Sequence, residues 1–219
     1  LVHICFNVVC TAILLPLRNY LVKLSYMVVH GEDPKKKAMS LQYLDARILN
    51  TPPIAVAQVL KEVQRMSTIA QDSFARAMDM LLRRKVEGME DLEGDESVLD
   101  YMNTAITEYL VKINGLDLED EDRKLIGSLF HIVSDFERIG DHSINIGEIA
   151  QTIVSNKVVL SEDAKNELEN MRGRVTAILK DAYSLFEKRG KDEELAMRVN
   201  RQEEEIDRET RRLKQNHID

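Results

Sequence analysis

The sequence predicts an all-α protein, a tandem of helical bundles preceded by an apolar helix. Three observations carry that expectation. The chain of 219 residues has nine Gly and four Pro and no Trp, a composition that favours long helices over strands and turns. Apolar residues recur at alternating steps of three and four from Val56 onward, the period of an amphipathic helix face. The order of elements and their acidic pairs then repeats, as expected of a duplicated helical unit. The formal net charge is −8, which excludes a nucleic-acid surface, since that needs a basic stripe.

Residues 1–29 are the most apolar block, uncharged between Ile4 and Leu17. A membrane-spanning helix needs about 20 such residues. The block reaches that length if Pro16, Arg18 and Asn19 form a kink and a snorkelling end. Cys5 and Cys10 lie within it and read as small buried hydrophobes. Lys35-Lys36-Lys37 follows, and by the positive-inside rule the chain beyond it is expected in the cytoplasm. Because the chain begins at Leu1 and ends in mid-pattern, it is expected to be a fragment of a longer protein.

Five helices are expected after that. Thr51-Pro52-Pro53 opens the first, with Pro suited to the first turn. It runs to about Lys85, with Val56, Leu60, Val63, Ala70, Phe74, Met78 and Leu81 on one face. An acidic loop is expected from Glu87 to Gly94. The second helix presents Leu99, Met102, Ile106, Tyr109 and Ile113, and Asn114-Gly115 ends it. The third starts near Asp120, with acids favourable to its dipole, and carries Leu125, Leu129, Ile132, Phe136 and Ile139. Its seam then turns small at Gly140, Ser143, Gly147 and Ala150, so a neighbouring helix can come close. Ser161 is a suitable N-cap for the fourth, which breaks at Arg189-Gly190. The fifth covers roughly residues 192–214, with Gln202 and Glu209 interrupting its apolar seam.

The repeat aligns Met66, Phe74, Met78 and Leu81 with Met171, Leu179, Tyr183 and Phe186. It aligns Glu96, Leu99, Asp100 and Ile106 with Glu203, Ile206, Asp207 and Leu213. The second copy stops short of a third helix.

Acid pairs four residues apart stand one turn above each other and repel. There are three beside apolar seams: Glu96/Asp100, Glu137/Asp141 and Glu203/Asp207. One pair reads as a solvated surface. Recurrence at matching places suggests a shared cation, and bundled helices could bring four carboxylates into one patch. Such a patch stays protonated, recruits Arg or Lys, or binds a cation. Oxygen donors suit Mg, Ca, Mn or iron better than copper. His142 points off the Glu137/Asp141 line, and Asp135 is expected to face solvent. Arg138 and Arg201 are candidate local counter-charges. No His has a Glu three residues before it, as di-iron carboxylate bundles require. No catalytic constellation is expected.

The run from Phe136 to Ile146, FERIGDHSINI, resembles the helix-borne motif of the PhoU family of phosphate-signalling proteins. Glu96/Asp100 and Glu203/Asp207 resemble its motif on the preceding helix. The resemblance runs from about Ala55 to the end. It implies two tandem three-helix bundles, at residues 55–156 and 157–219, the second incomplete unless another chain, as in a homodimer, supplies its missing helix. It also implies metal at the acidic motifs, with iron, Mg, Ca, Mn and Zn all open as its identity. His3-Ile-Cys-Phe-Asn7 with Leu14-Leu-Pro-Leu17 looks like the last membrane segment of bacterial sodium/phosphate cotransporters, in residues 1–30. Leu44-Asp-Ala-Arg47 and Asn50-Thr-Pro-Pro53 look like that family's connector, residues 31–54. That second resemblance implies an inner-membrane parent handling sodium and inorganic phosphate, with an upstream transport domain and this region regulating it in the cytoplasm. A freestanding phosphate-signalling adaptor, binding a transporter or a sensor kinase, is the competing expectation.

Overall fold

A computed structural model describes residues 39–216. The apolar block at residues 1–30, expected in a membrane, and the Lys35–Lys37 cluster lie outside the described residues. Within them, no helix is long and apolar enough to cross a membrane.

The described chain starts with an irregular connector that turns and bends, then a short 3-10 turn, Ala46–Asn50, capped by the Asp45 carboxylate on the Arg47 amide. Five helices follow: α1 (Pro52–Arg83), α2 (Met89–Asn114), α3 (Asp120–Ser155), α4 (Glu162–Glu187) and α5 (Glu193–Asn216). Pro52 and Pro53 occupy the first positions of α1, where a missing N–H costs nothing. Glu90 and Asp91 sit in the first turn of α2, as do Asp120, Glu121 and Asp122 in α3, each complementing the positive end of the dipole. The Ser161 hydroxyl accepts from the Ala164 amide, and the Asp192 carboxylate from the Leu195 amide. These side chains satisfy N–H groups that a helix start leaves free.

The acidic loop expected from Glu87 to Gly94 is shorter than that. Gly88, at φ 112, turns the chain, and α2 begins at the next residue. Its acids serve the helix start, and Gly94 is simply helical. Asn114-Gly115 does end α2, although Gly115 stays right-handed at φ −81.

Helices α1, α2 and α3 form an antiparallel bundle, with α3 packed along both α1 and α2. All five residues expected on the α2 seam are buried: Leu99, Met102, Ile106, Tyr109 and Ile113. On α1, Val56, Val63, Ala70, Met78 and Leu81 are buried, while Leu60 and Phe74 are half-buried. The α3 seam departs from expectation. Its core line is Ile126, Leu129 and Val133, leading into Gly140, Ser143, Gly147 and Ala150. Leu125, Ile132, Phe136 and Ile139 are only half-buried. A helix wedged between two neighbours buries a broad stripe, and the 3/4 spacing on one edge of it locates the edge rather than the centre.

The small stripe does what its residues suggest. A methyl group at Gly140 would lie 2.6 Å from Leu99 Cδ1, and one at Gly147 would lie 2.8 Å from Leu92 Cδ1. Both leucines are fully buried. Helices α2 and α3 are therefore closer at these points than any residue with a Cβ allows without repacking.

Helices α4 and α5 pack as a hairpin, and its main helix contact with the bundle is between α4 and α1. No residue of α4 is buried, against thirteen in α1, and in α5 Leu195 is buried, so the second half has little core of its own. Leu168 packs on the cluster around Leu81 and Leu92. Ion pairs tie the hairpin to the bundle midway along α4 and at its closed end. Arg172 meets Asp79 at 2.9 Å, while Arg189 meets Asp122 at 3.1 Å and Lys191 meets Glu121 at 3.2 Å.

Two measurements check this architecture. Gly94 has nothing within 4 Å of its would-be Cβ, so Gly94→Ala is expected to stabilise the fold by about 0.5–1 kcal/mol in urea unfolding. Gly140→Val is expected to destabilise it by about 1–3 kcal/mol through overpacking against Leu99. In hydrogen exchange, α4 and α5 amides are expected to exchange faster than the α3 core, and 1 M salt is expected to widen the gap, because exposed ion pairs are screened.

Candidate functional site

The contact between Gly140 and Leu99 fixes what flanks it. Glu137 and Asp141 stand on either side of Gly140 on α3, while Glu96 and Asp100 stand on either side of Leu99 on α2. The two acid pairs therefore face one another across the α2–α3 groove. Glu96 and Glu137 are half-buried; Asp100 and Asp141 are exposed.

The electrostatics register this placement. The Glu137 carboxyl is pushed above its ordinary range, first by partial burial and then by the charges of Asp141, Asp100 and Glu96. Arg138 opposes the shift only weakly, being exposed and paired with Asp135 at 3.6 Å. None of the four carboxylates makes an ion pair among the described residues.

A second acidic group shows the contrast. Asp91 and Asp95 on α2 surround Arg76 of α1, at 3.0 and 3.5 Å. Burial raises the Asp95 carboxyl, Arg76 opposes that, and Asp91 and Asp72 add to it. That cluster contains a paired cation; among the described residues the Glu137 group makes no ion pair, and Arg138 acts on it only from a distance.

The donor chemistry of the Glu137 group, all carboxylate oxygen, suits a hard cation. Its placement is looser than a closed site. Among the described residues, no three His, Cys, Asp or Glu side chains are gathered closely enough to hold one metal ion. Glu203 and Asp207 are both exposed on α5 and no acid-bearing third helix faces them among the described residues. His142 and Asp135 are exposed, and so is Arg201.

Glu62 was not among the sequence candidates, yet it is the most deeply buried charged side chain of the bundle, at 0% exposure. Its Oε2 accepts the backbone N–H groups of Gln42 and Tyr43, both at 2.8 Å. Its Oε1 accepts Arg65 Nε at 2.7 Å. In sequence, Glu62 and Arg65 form an ordinary i,i+3 pair, and nothing local announces partners 20 residues upstream.

Comparisons with known proteins agree with the helical motif. Residues 63–150 match the family model described as the PhoU domain. Those residues take in most of α1, all of α2 and α3 as far as Ala150, and so include both facing acid pairs. YjbB of Escherichia coli (strain K12), provisionally named as an inorganic phosphate export protein, is 22% identical over 185 residues. That alignment covers 84% of this chain and 34% of the relative, so the chain spans about a third of that protein. A phosphate-specific transport system accessory protein PhoU homolog of Clostridium acetobutylicum is 24% identical over 148 residues, covering 67% of this chain and 65% of the relative. A PhoU homolog of Aquifex aeolicus is 29% identical over 91 residues, 41% of each chain. No solved structure matches the chain significantly.

The raised Glu137 carboxyl has a definite sign. A folded-state pKa above the unfolded one means that the folded protein binds protons more readily, so ionised Glu137 opposes folding above its folded pKa. That opposition fades as pH falls through the folded pKa to the ordinary Glu value. Glu137→Gln is therefore expected to raise the melting temperature at pH 7, with a gain that shrinks as the pH is lowered through the carboxylate range. A gain that is the same at all pH values would show that packing, not charge, is responsible.

Proposed function

We propose that this chain is a PhoU-like regulatory region of a phosphate-transport protein, acting through the acidic groove between α2 and α3. One observation carries the reading: the segment that matches the PhoU domain is the one whose packing sets two acid pairs face to face with no ion pair to them among the described residues. The names of the relatives, an inorganic phosphate exporter and accessory proteins of phosphate-specific transport, support phosphate as the transported species. The finer assignment is a sodium-dependent phosphate transporter of the inner membrane. There residues 1–30 end the membrane domain, the transport domain lies upstream, and the helices regulate it from the cytoplasmic side.

Within this proposal Glu96, Asp100, Glu137 and Asp141 are the first cation-binding face, and Glu203 with Asp207 is the matching pair of the second half. A divalent or trivalent ion, whether iron, Mg, Ca, Mn or Zn, would supply the positive charge that the groove lacks and relieve the repulsion on Glu137. The protein's own contribution is to hold the four carboxylates in one field. A second copy of the chain is the proposed partner for the hairpin that carries Glu203 and Asp207, as that half has so little core.

A freestanding adaptor is the second reading, favoured by the coverage of the Clostridium acetobutylicum homolog, of which 65% is matched. Partition of the full-length gene product between membrane and aqueous fractions separates the two.

Two measurements test the proposal. Full-length protein in vesicles is expected to move phosphate in response to a sodium gradient, and removal of residues 55–219 is expected to change that flux. Absence of flux under every gradient would remove the transporter, and flux indifferent to the deletion would remove the regulation. After equilibration with each metal, Glu137→Gln/Asp141→Asn protein is expected to hold less metal by elemental analysis with nearly unchanged helicity. Equal stoichiometry in variant and wild type would contradict the cation role.

A further inference from the structure

We propose that residues 40–45 form a strap, seated on α1 by Glu62 and Arg65 and on α2 by Tyr109, which ties the connector to the packing of the bundle. The seat is a carboxylate with no exposure. One oxygen takes two consecutive strap amides, Gln42 and Tyr43, and the other takes Arg65 Nε. Arg65, itself only 15% exposed at the side chain, passes a further bond from Nη2 to the Ser40 carbonyl at 2.8 Å. At the other end, the Tyr109 hydroxyl donates to the Asp45 carbonyl at 2.9 Å. Between these anchors, Lys61 lies over the Tyr43 ring at 5.8 Å.

Glu62 makes this seat two-state rather than gradual. Its neighbours in sequence along the buried face of α1 are Val59, Val63 and Met66, all at 0% exposure. A buried carboxylate that loses its donors keeps the cost of desolvation without the compensation. Lifting the strap removes two of the three donors at once, so the α1 surface must hydrate as the strap leaves. The connector is thus seated, with Glu62 satisfied, or released, with that part of α1 opened to water.

The anchors also span two helices. Glu62 and Arg65 belong to α1 and Tyr109 to α2, so a shift of one helix along the other pulls on the strap. Helix α2 is the element that carries Asp100 and Glu96, about 14 and about 20 Å along its axis from Tyr109 at about 1.5 Å per residue. A change in the acidic groove that moved α2 would therefore act on the connector directly. That last step alone rests on the cation reading; the strap does not.

Hydrogen exchange on the full chain, without added metal, tests the strap separately from that reading. The Gln42 and Tyr43 amides are expected to exchange about 100-fold or more slowly than in an unstructured peptide. Glu62→Ala is expected to speed both at least about tenfold, with Leu129 and Val133 of α3 unchanged. Tyr109→Phe, which removes only the α2 anchor, is expected to speed them severalfold. Unprotected amides in the wild type would overturn the proposal, as would a folded Glu62→Ala protein with full protection. If Glu62→Ala unfolds the bundle, Tyr109→Phe decides: unchanged exchange at Gln42 and Tyr43 would show that α2 has no hold on the strap.

Discussion

The close approach of α3 to α2 is the constraint from which the rest of this structure follows. Gly140 and Gly147 leave no room for a side chain beside Leu99 and Leu92. Glycine weakens a helix interior by about 1 kcal/mol relative to alanine, so two of them in one 36-residue helix have to be offset by packing. The offset is the complete burial of Leu92 and Leu99, each contributing roughly 1.5–3 kcal/mol by removal from water. Because acids flank Gly140 on one helix and Leu99 on the other, that apolar contact also sets the distance between the acid pairs. Core and site are one piece of geometry.

How far this could be read in advance depended on how local the signal was. The α2 seam was legible residue by residue, since one helix with one buried face displays its period cleanly. The α3 seam was legible only in its small half. In its large half, Leu125, Ile132, Phe136 and Ile139 read as the centre of the buried stripe and lie at its margin. A helix touching two partners has no single face for a 3/4 pattern to mark. The acid pairs of α2 and α3 were legible as pairs, and the repeat suggested that they meet. What spacing could not give was their fourfold field without a closed coordination shell, which depends on the splay of two helices. Glu62 was invisible for a different reason: its partners are the backbone amides of Gln42 and Tyr43, and backbone leaves no trace in composition.

The two halves that the sequence pattern pairs are unequal in structure. In the first half, α1 and α2 present their apolar faces to α3 and become a core. In the second, α4 and α5 carry the corresponding residues with no third helix against them among the described residues, and Met171, Leu179, Tyr183 and Phe186 are only half-buried. The seam of α5 holds Gln202 and Glu209, and the attachment to the bundle leans on Arg172, Arg189 and Lys191. Exposed pairs of this kind are worth roughly 0–1 kcal/mol each. The first half is thus a buried scaffold and the second a loosely held arm, with less partner surface and a seam interrupted by polar residues.

The two buried or crowded charge sites of the bundle illustrate opposite solutions to one problem. A carboxylate taken out of water must be neutralised, protonated or surrounded by donors. Glu62 is surrounded: two amides and a guanidinium account for both of its oxygens, and that arrangement is structural. Glu137 makes no ion pair among the described residues, and its carboxyl is pushed upward by partial burial and then by three neighbours of the same sign. Arg76 shows that the same bundle can place a cation among aspartates where it needs one. The groove keeps its repulsion while a neighbouring cluster is neutralised. The Gly140 contact prevents it from relaxing, because α3 cannot move away from α2 without opening the core.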